Sequence, residues 1–226
     1  MHGKYKILVA DDHPLYRTGL VQMLKQTANE ASEVVFLEAG SVDQVHEILE
    51  SEPDIDLLIL DLHMPGTNGF TGLANLLSTF PMIPIAVISG DQRAEAVQLA
   101  IRFGVVGFLP KRLSPEGLSD IIFSLLEGKT WFPEQDQDTN FQHIEKVSQF
   151  AQRLIELTPH QLRIYQMVAV GLLNKQIGYE LDISITTVKS HLTAILRKLQ
   201  VRDRKQLIIM AKSLELYDMD SFNEPA

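Results

Sequence analysis

Three acidic residues, a serine and a lysine stand where this chain could do chemistry. Asp11 and Asp12 follow the apolar run Tyr5–Ala10, Asp61 follows Leu57–Leu60, Ser89 follows Ile85–Ile88 and Lys111 follows Val106–Leu109. If those runs are strands of one parallel sheet, the residues after them gather at its carboxyl edge, where open α/β sheets hold their ligands. Three carboxylates close together repel, and without a counter-ion their proton affinities rise, so a cation is implied. All-oxygen ligation suits Mg²⁺, with Mn²⁺ as an alternative, and Mg²⁺ commonly shares its coordination with a phosphate. An aspartate can also attack phosphorus, and the aspartyl phosphate it forms needs a metal, a lysine and hydroxyl or backbone donors around its oxygens. Each of those roles has a candidate in the set. Taken singly, every member has an ordinary use: Asp11-Asp12 before Pro14 can cap a helix, and Asp61 before Met64-Pro65-Gly66 can open a turn. Ser89 suits a turn and Lys111 a solvated surface, so it is the placement at successive strand ends that points to a site.

The elements that must position these residues are written in the apolar pattern. With Val34–Glu38 added, five short apolar runs alternate with segments of helical periodicity, Pro14–Ala28, Ser41–Glu50, Gly69–Phe80, Gln92–Phe103 and Pro115–Glu127. Strands apolar on both faces that alternate with helices predict a doubly wound parallel sheet. Asp12, Ser41 and Ser114 are candidate N-caps. This first domain, residues 1–131, closes near Trp131. From Phe132 to about Asn140 the chain is polar and aperiodic, which is linker composition, and Asn140 to Glu156 carries a helix-like apolar stripe that can pack on either neighbour.

At 226 residues the chain favours two compact units over one. Its 45% hydrophobic and 22% charged content is that of a globular protein with a buried core. The absence of cysteine removes disulfides, thiolate metal sites and cysteine nucleophiles. The only apolar run near the N-terminus, Ile7–Ala10, is far too short for a signal peptide, and none approaches a membrane span, so a cytoplasmic protein without a membrane partner is expected.

The net charge of −9 is unevenly spread. Residues 1–131 hold 9 Lys and Arg against 17 Asp and Glu, whereas residues 157–212 hold 9 against 3. A basic island in an acidic chain is the footprint of a DNA-binding module. Within it Thr158-Pro159-His160-Gln161 reads as a capping box with proline at N1, opening a helix that stops at Gly171. Asn174 is placed to cap a second short helix through Leu181, and Asp182-Ile183-Ser184 forms a tight turn. A third helix runs from Ile185 to about Leu199. A fourth spans Arg204 to Leu216, so this domain covers 157–216, and a frayed tail is expected over 217–226. In the third helix Val188, Leu192, Ile195, Leu196 and Leu199 form one buried stripe. Thr186, Thr187, Lys189, Ser190 and Thr193 project from the other face near the helix start, where a helix in the major groove meets bases and phosphates. Lys175, Arg197 and Lys198 can neutralise backbone charge nearby. Gly178 allows close approach of the preceding helix.

Two sets of motifs resemble a known family. Asp11-Asp12, Asp61-Leu-His-Met-Pro-Gly-Thr-Asn-Gly69, Ser89-Gly90 and Gly107-Phe-Leu-Pro-Lys111 resemble the receiver domain of two-component response regulators, over residues 5–128. Leu157-Thr-Pro-His-Gln161, Gly171-Leu-Leu-Asn-Lys-Gln-Ile177, Ile183 to Leu199 and Val201-Arg-Asp-Arg204 resemble the LuxR-type helix-turn-helix, over 157–212. Together they resemble the NarL/FixJ class. The resemblance implies a five-stranded parallel sheet of flavodoxin-like order 2-1-3-4-5 followed by a small all-α domain. It implies that Asp61 accepts phosphate from a cognate histidine kinase, and that Asp11, Asp12, Asp61 and the backbone of His63 hold Mg²⁺. Lys111 then pairs with the phosphoryl oxygens, Ser89 reaches toward them and Phe108 turns inward. It also implies that Lys189, Ser190 and Thr193 face bases while Lys175 and Thr187 meet phosphates of promoter DNA, with a homodimer forming on phosphorylation. His63, two residues past the acceptor, is a candidate for setting phosphoryl lifetime. Two departures stand out: His160-Gln161 replaces the usual Arg-Glu, removing an ion pair, and Gln200 replaces a helix-ending glycine, straining the turn. His191 suits a structural or phosphate-contact role better than a metal one.

Two rival functions use the same residues. A small-molecule phosphatase acting through Asp61 would want a second aspartate where His63 stands. A regulator that works without phosphorylation would not need the full pocket, which is present.

Overall fold

In the computed structural model of the chain, the described residues are 5–27, 34–65, 69–90, 93–134 and 141–219. Ala28, Gln92, residues 66–68 of the motif after Asp61, residues 135–140 of the expected linker and residues 220–226 of the expected tail lie outside them. Strands β1 (Tyr5–Ala10), β2 (Val34–Ala39), β3 (Leu57–Asp61), β4 (Ile85–Ser89) and β5 (Gly107–Pro110) form one parallel sheet in the order β2-β1-β3-β4-β5. This is the doubly wound arrangement expected from the alternating pattern.

Helices α1 (Pro14–Thr27) and α5 (Pro115–Leu126) cover one face of the sheet, and α2 (Val42–Ser51), α3 (Phe70–Thr79) and α4 (Ala94–Phe103) cover the other. Strand side chains alternate between the two. Ile7, Val9, Ile59, Ile88 and Leu109 pack toward α1 and α5. Leu8, Leu58, Leu60, Val87 and Phe108 pack toward α2, α3 and α4. Ser41 and Ser114 cap α2 and α5 as expected, accepting from the backbone N–H of Gln44 and Gly117. Asp12 does not cap α1: the helix opens at Pro14, so the position before it is His13, and Asp11 accepts the His13 backbone N–H at 2.8 Å. Trp131 closes the first domain by pairing beside β5, its carbonyl accepting from Phe108 N–H at 3.0 Å.

The second half is helical: α6 (Phe141–Ile155), α7 (Pro159–Ala169), α8 (Asn174–Glu180), α9 (Ile185–Lys198) and α10 (Arg204–Met219). The last helix continues three residues beyond Leu216, into the segment expected to fray. The ambiguous stripe of α6 is used on both sides, packing on α3 and α4 of the sheet domain and on α10 of the helical one. Phe150 of α6, 1% exposed, lies 6.1 Å ring to ring from Tyr165 of α7. The apolar cluster on the α2–α4 face is therefore continuous with the core of the helical domain. The Ser78 hydroxyl at the end of α3 adds a polar tie, donating to the Leu157 carbonyl at 2.9 Å. Beside this contact a polar cleft of about 570 Å³ opens between α2, α3 and α7, lined by Asp43, His46, Asn75, Thr79 and Arg163 among others.

Candidate functional site

Parallel pairing places the ends of β1, β3, β4 and β5 side by side. Asp61 is in register with Ile88, Ser89 is in register with Pro110, and the Lys111 backbone N–H donates to the Ser89 carbonyl at 2.8 Å. The carboxylates then meet the lysine: Lys111 Nζ lies 2.7 Å from Asp11 Oδ2 and 2.8 Å from Asp61 Oδ2. Asp11 and Asp61 are buried, and Asp12 at the rim is partly exposed. Burial alone would push the Asp61 carboxyl up, but hydrogen bonds from His63 and Lys111 outweigh it and hold the group below the usual carboxylate range. Burial likewise works against the Lys111 ammonium, and its bonds to Asp11 and Asp61 overcome that and raise its proton affinity. At neutral pH the pocket thus holds an ionised Asp61 and a charged lysine.

The donor set fits a hard divalent cation. Ligand-capable atoms of Asp11, Asp12, His13 and Asp61 all lie within 4.8 Å of one another, and three of the four are carboxylate oxygens. His13 was not foreseen as a member, although its position directly after Asp11-Asp12 was a signal. Its Nδ1 sits 2.8 Å from Asp12 Oδ1 and 3.2 Å from Asp11 Oδ1, with the ring largely exposed. Tyr16 is the second residue missed: its ring lies beneath the Lys111 ammonium, 4.8 Å from Nζ to centroid. Helical phase brings it there, since it lies in the first turn of α1 just after the Asp pair. His63 donates its backbone N–H to Asp61 Oδ1 at 3.1 Å and places its ring Nδ1 3.6 Å from the same oxygen. Its side chain is 19% exposed, which puts the ring against Asp61 rather than in solvent. Ser89 and Phe108 are fully buried, so the Phe108 ring already faces inward here.

The second site is an exposed face. The capping box forms as expected, with Thr158 and Gln161 exchanging side-chain to backbone hydrogen bonds at 3.3 Å. Asn174 does not cap α8: Leu173 holds that position, its N–H donating to the Gln176 side chain at 2.8 Å. The Asn174 side chain instead accepts from Arg204 at 3.0 Å, and the same guanidinium also bonds to the Leu172 carbonyl, tying α10 to the loop before α8. A Cβ on Gly178 would stand 2.8 Å from the Ile183 carbonyl, so the turn into α9 closes directly over this residue. Val188 and Ile195 are buried, while Thr186, Thr187, Lys189, Ser190 and Thr193 are exposed, with Lys175 and Arg197 also exposed nearby. Ser184 caps α9 by accepting from Thr187 N–H at 3.0 Å, and the Thr193 hydroxyl donates back to the Lys189 carbonyl at 3.0 Å. Lys198 points elsewhere in this state, donating to the Glu156 carbonyl at 2.8 Å. Gln200 takes φ 53°, the strain expected where glycine is usual, and His160 meets His191 edge to face at 4.8 Å between centroids.

Comparison with known proteins agrees over both halves. Residues 7–123 match the response regulator receiver domain, and residues 156–211 match the bacterial regulatory proteins of the luxR family. The chain is 38% identical over 216 residues to the glycerol metabolism activator of Pseudomonas putida, covering 93% of this chain and 96% of that one. It is 32% identical over 204 residues to the nitrate/nitrite response regulator protein NarL of Escherichia coli (strain K12), covering 90% and 93%. A similar solved structure is that of RcsB from Salmonella enterica serovar Typhimurium bound to a promoter in the presence of the phosphomimetic BeF₃⁻. It has 25% identity and a TM-score of 0.52, covering 94% of this chain and 100% of that one.

Proposed function

Given that the chain belongs to the response regulators that join a receiver domain to a LuxR-type DNA-binding domain, we propose how its two sites divide the work of a phosphorylation-controlled transcriptional regulator. Asp61 attacks the phosphorus of a phosphohistidine on a histidine kinase; the P–N bond breaks, the imidazole leaves and an acyl phosphate forms. The observation that carries this reading is the Lys111 ammonium bridging Asp11 and Asp61 at 2.7 and 2.8 Å, which keeps the nucleophile ionised and sets a cation beside the incoming phosphoryl oxygens. Asp11, Asp12, Asp61 and the His63 backbone would hold Mg²⁺, which when bound neutralises charge on the transferring group. His63, with its ring on the acceptor, is placed to influence loss of the phosphoryl group by water. No small-molecule turnover is assigned: the chain acts on itself, and its output is binding of promoter DNA.

Ser89 and Phe108 carry the change outward. Phe108 lies in the apolar cluster shared with α4 and α6, so a shift of Ser89 toward a phosphoryl group disturbs the packing that holds the helical domain. The α9 residues offered to DNA are already exposed, which supports control through pairing of two copies rather than through uncovering of the helix. Lys189, Ser190 and Thr193 face bases; Lys175, Thr186, Thr187 and Arg197 serve phosphates, joined by Lys198 once it leaves Glu156.

The test is binding of a promoter fragment by the wild type and Asp61→Ala, with and without phosphoramidate and Mg²⁺, alongside size-exclusion chromatography. Tighter binding and dimers only in the phosphodonor-treated wild type are expected. Equal binding by both proteins, indifferent to the donor, would overturn the reading.

A further inference from the structure

Lys111 has a third partner besides its two carboxylates. The ring of Tyr16 stands 4.8 Å from Nζ, within the range at which an ammonium is drawn to an aromatic face. Tyr16 and Lys111 together line one end of an apolar cleft of about 320 Å³ between α1 and α5, which Met23, Leu113 and Leu118 also help to line.

The three partners respond differently to phosphoryl transfer. Transfer converts the Asp61 carboxylate into an acyl phosphate, moving its negative charge outward to the phosphoryl oxygens. Asp11 would be drawn to the cation that accompanies transfer. The Tyr16 face is unaltered by either event, so it is the anchor that persists while the others change.

We infer that Tyr16 is a positioning residue of the phosphoryl-transfer pocket, its ring face holding the Lys111 ammonium within reach of the phosphoryl oxygens as Asp61 reacts. The inference rests on the reading of Asp61 as phosphoacceptor. The side chain suits the role because it stays a neutral phenol: burial, and then the charges of Asp11 and Asp61, push its pKa up from the ordinary value. Leucine would fill much of the same volume without a quadrupole, and phenylalanine would keep the quadrupole without the hydroxyl.

The test uses the full chain and three variants, Tyr16→Phe, Tyr16→Leu and Tyr16→Met. The initial rate of aspartyl-phosphate formation is followed with phosphoramidate at saturating Mg²⁺, and the Lys111 ammonium resonance is followed in ¹⁵N-lysine-labelled protein. Thermal midpoints report folding, and the methionine variant serves if leucine does not fold. The expected result is uptake about three- to tenfold slower with leucine or methionine and within about twofold of wild type with phenylalanine. The upfield ring-current shift of the ammonium persists only in the two aromatic proteins. Wild-type uptake by the leucine or methionine variant, with the resonance unmoved, overturns the inference. So does a phenylalanine variant as slow as leucine, which would assign the effect to the hydroxyl. A wild type that takes up no phosphoryl group overturns the reading of Asp61 instead, and the resonance still reports whether the ring holds the ammonium.

Discussion

The two faces of the receiver sheet do different jobs. The face under α1 and α5 is self-contained: its apolar cluster runs from Ile7 and Leu24 to Ile122 and stays within the first domain. The face under α2, α3 and α4 is shared, its cluster passing through α6 into Tyr165, Ile195 and Leu207 of the helical domain. Strand alternation distributes the functional residues between them. Asp61 follows the phase of Ile59 and Lys111 that of Leu109, on the self-contained side, where Lys111 meets Tyr16 of α1. Ser89 follows the phase of Val87, on the shared side with Phe108. In the proposed function, chemistry and readout therefore sit on opposite sides of one layer and meet where β3, β4 and β5 end together.

Cavities separate the faces most sharply. Phe150→Ala on α6 should cost about 3–5 kcal/mol and lower amide-exchange protection in both domains, because the lost ring belongs to the shared core. Leu24→Ala, at a fully buried site on α1, should cost about 2–5 kcal/mol and leave protection of α7 to α10 unchanged. Equal loss across both domains in the Leu24 variant would break the comparison. Ser78→Ala removes the polar tie to Leu157 and should weaken the shared side by about 1 kcal/mol, read as a lowered urea midpoint at unchanged slope. Gln200→Gly relieves a positive φ between Leu199 and Val201 of the shared cluster and should raise stability by about 0.5–1 kcal/mol, visible as a higher thermal midpoint.

The smallest effect is a pH dependence at the domain contact. Burial chiefly holds the His46 pKa below its ordinary value, against the pull of Glu50 and Asp43. The folded chain then binds fewer protons than the unfolded one, so this contribution is complete above about pH 6.5 and is lost as pH falls toward the depressed folded value. Thermal midpoints between pH 7.5 and 5.5 should fall more for the wild type than for His46→Gln. The same slope in both proteins would remove His46 from the account.

The sheet, its order and the converging edge residues were legible because each strand carries a short doubly apolar run that ends on a polar residue. The capping serines and the Thr158 box were legible because they are local. What escaped depends on long-range packing. Nothing near Asn174 signals that Arg204, 30 residues on, takes its side chain. Neither could the stripe of α6 reveal that it serves two domains at once, since an apolar face does not name what covers it. His13 and Tyr16 were within reach, adjacent in sequence to the Asp pair, but their involvement rests on the turn that starts α1 rather than on residue type.

The open face of α9 separates two rates that a masked helix would tie together. If control acts through pairing, the resting chain meets DNA as often as the activated one, because encounter is set by the basic island and not by the state of Asp61. Activation would then lengthen the time each complex persists once two copies share a site, so that the signal is written in dissociation and scarcely at all in arrival.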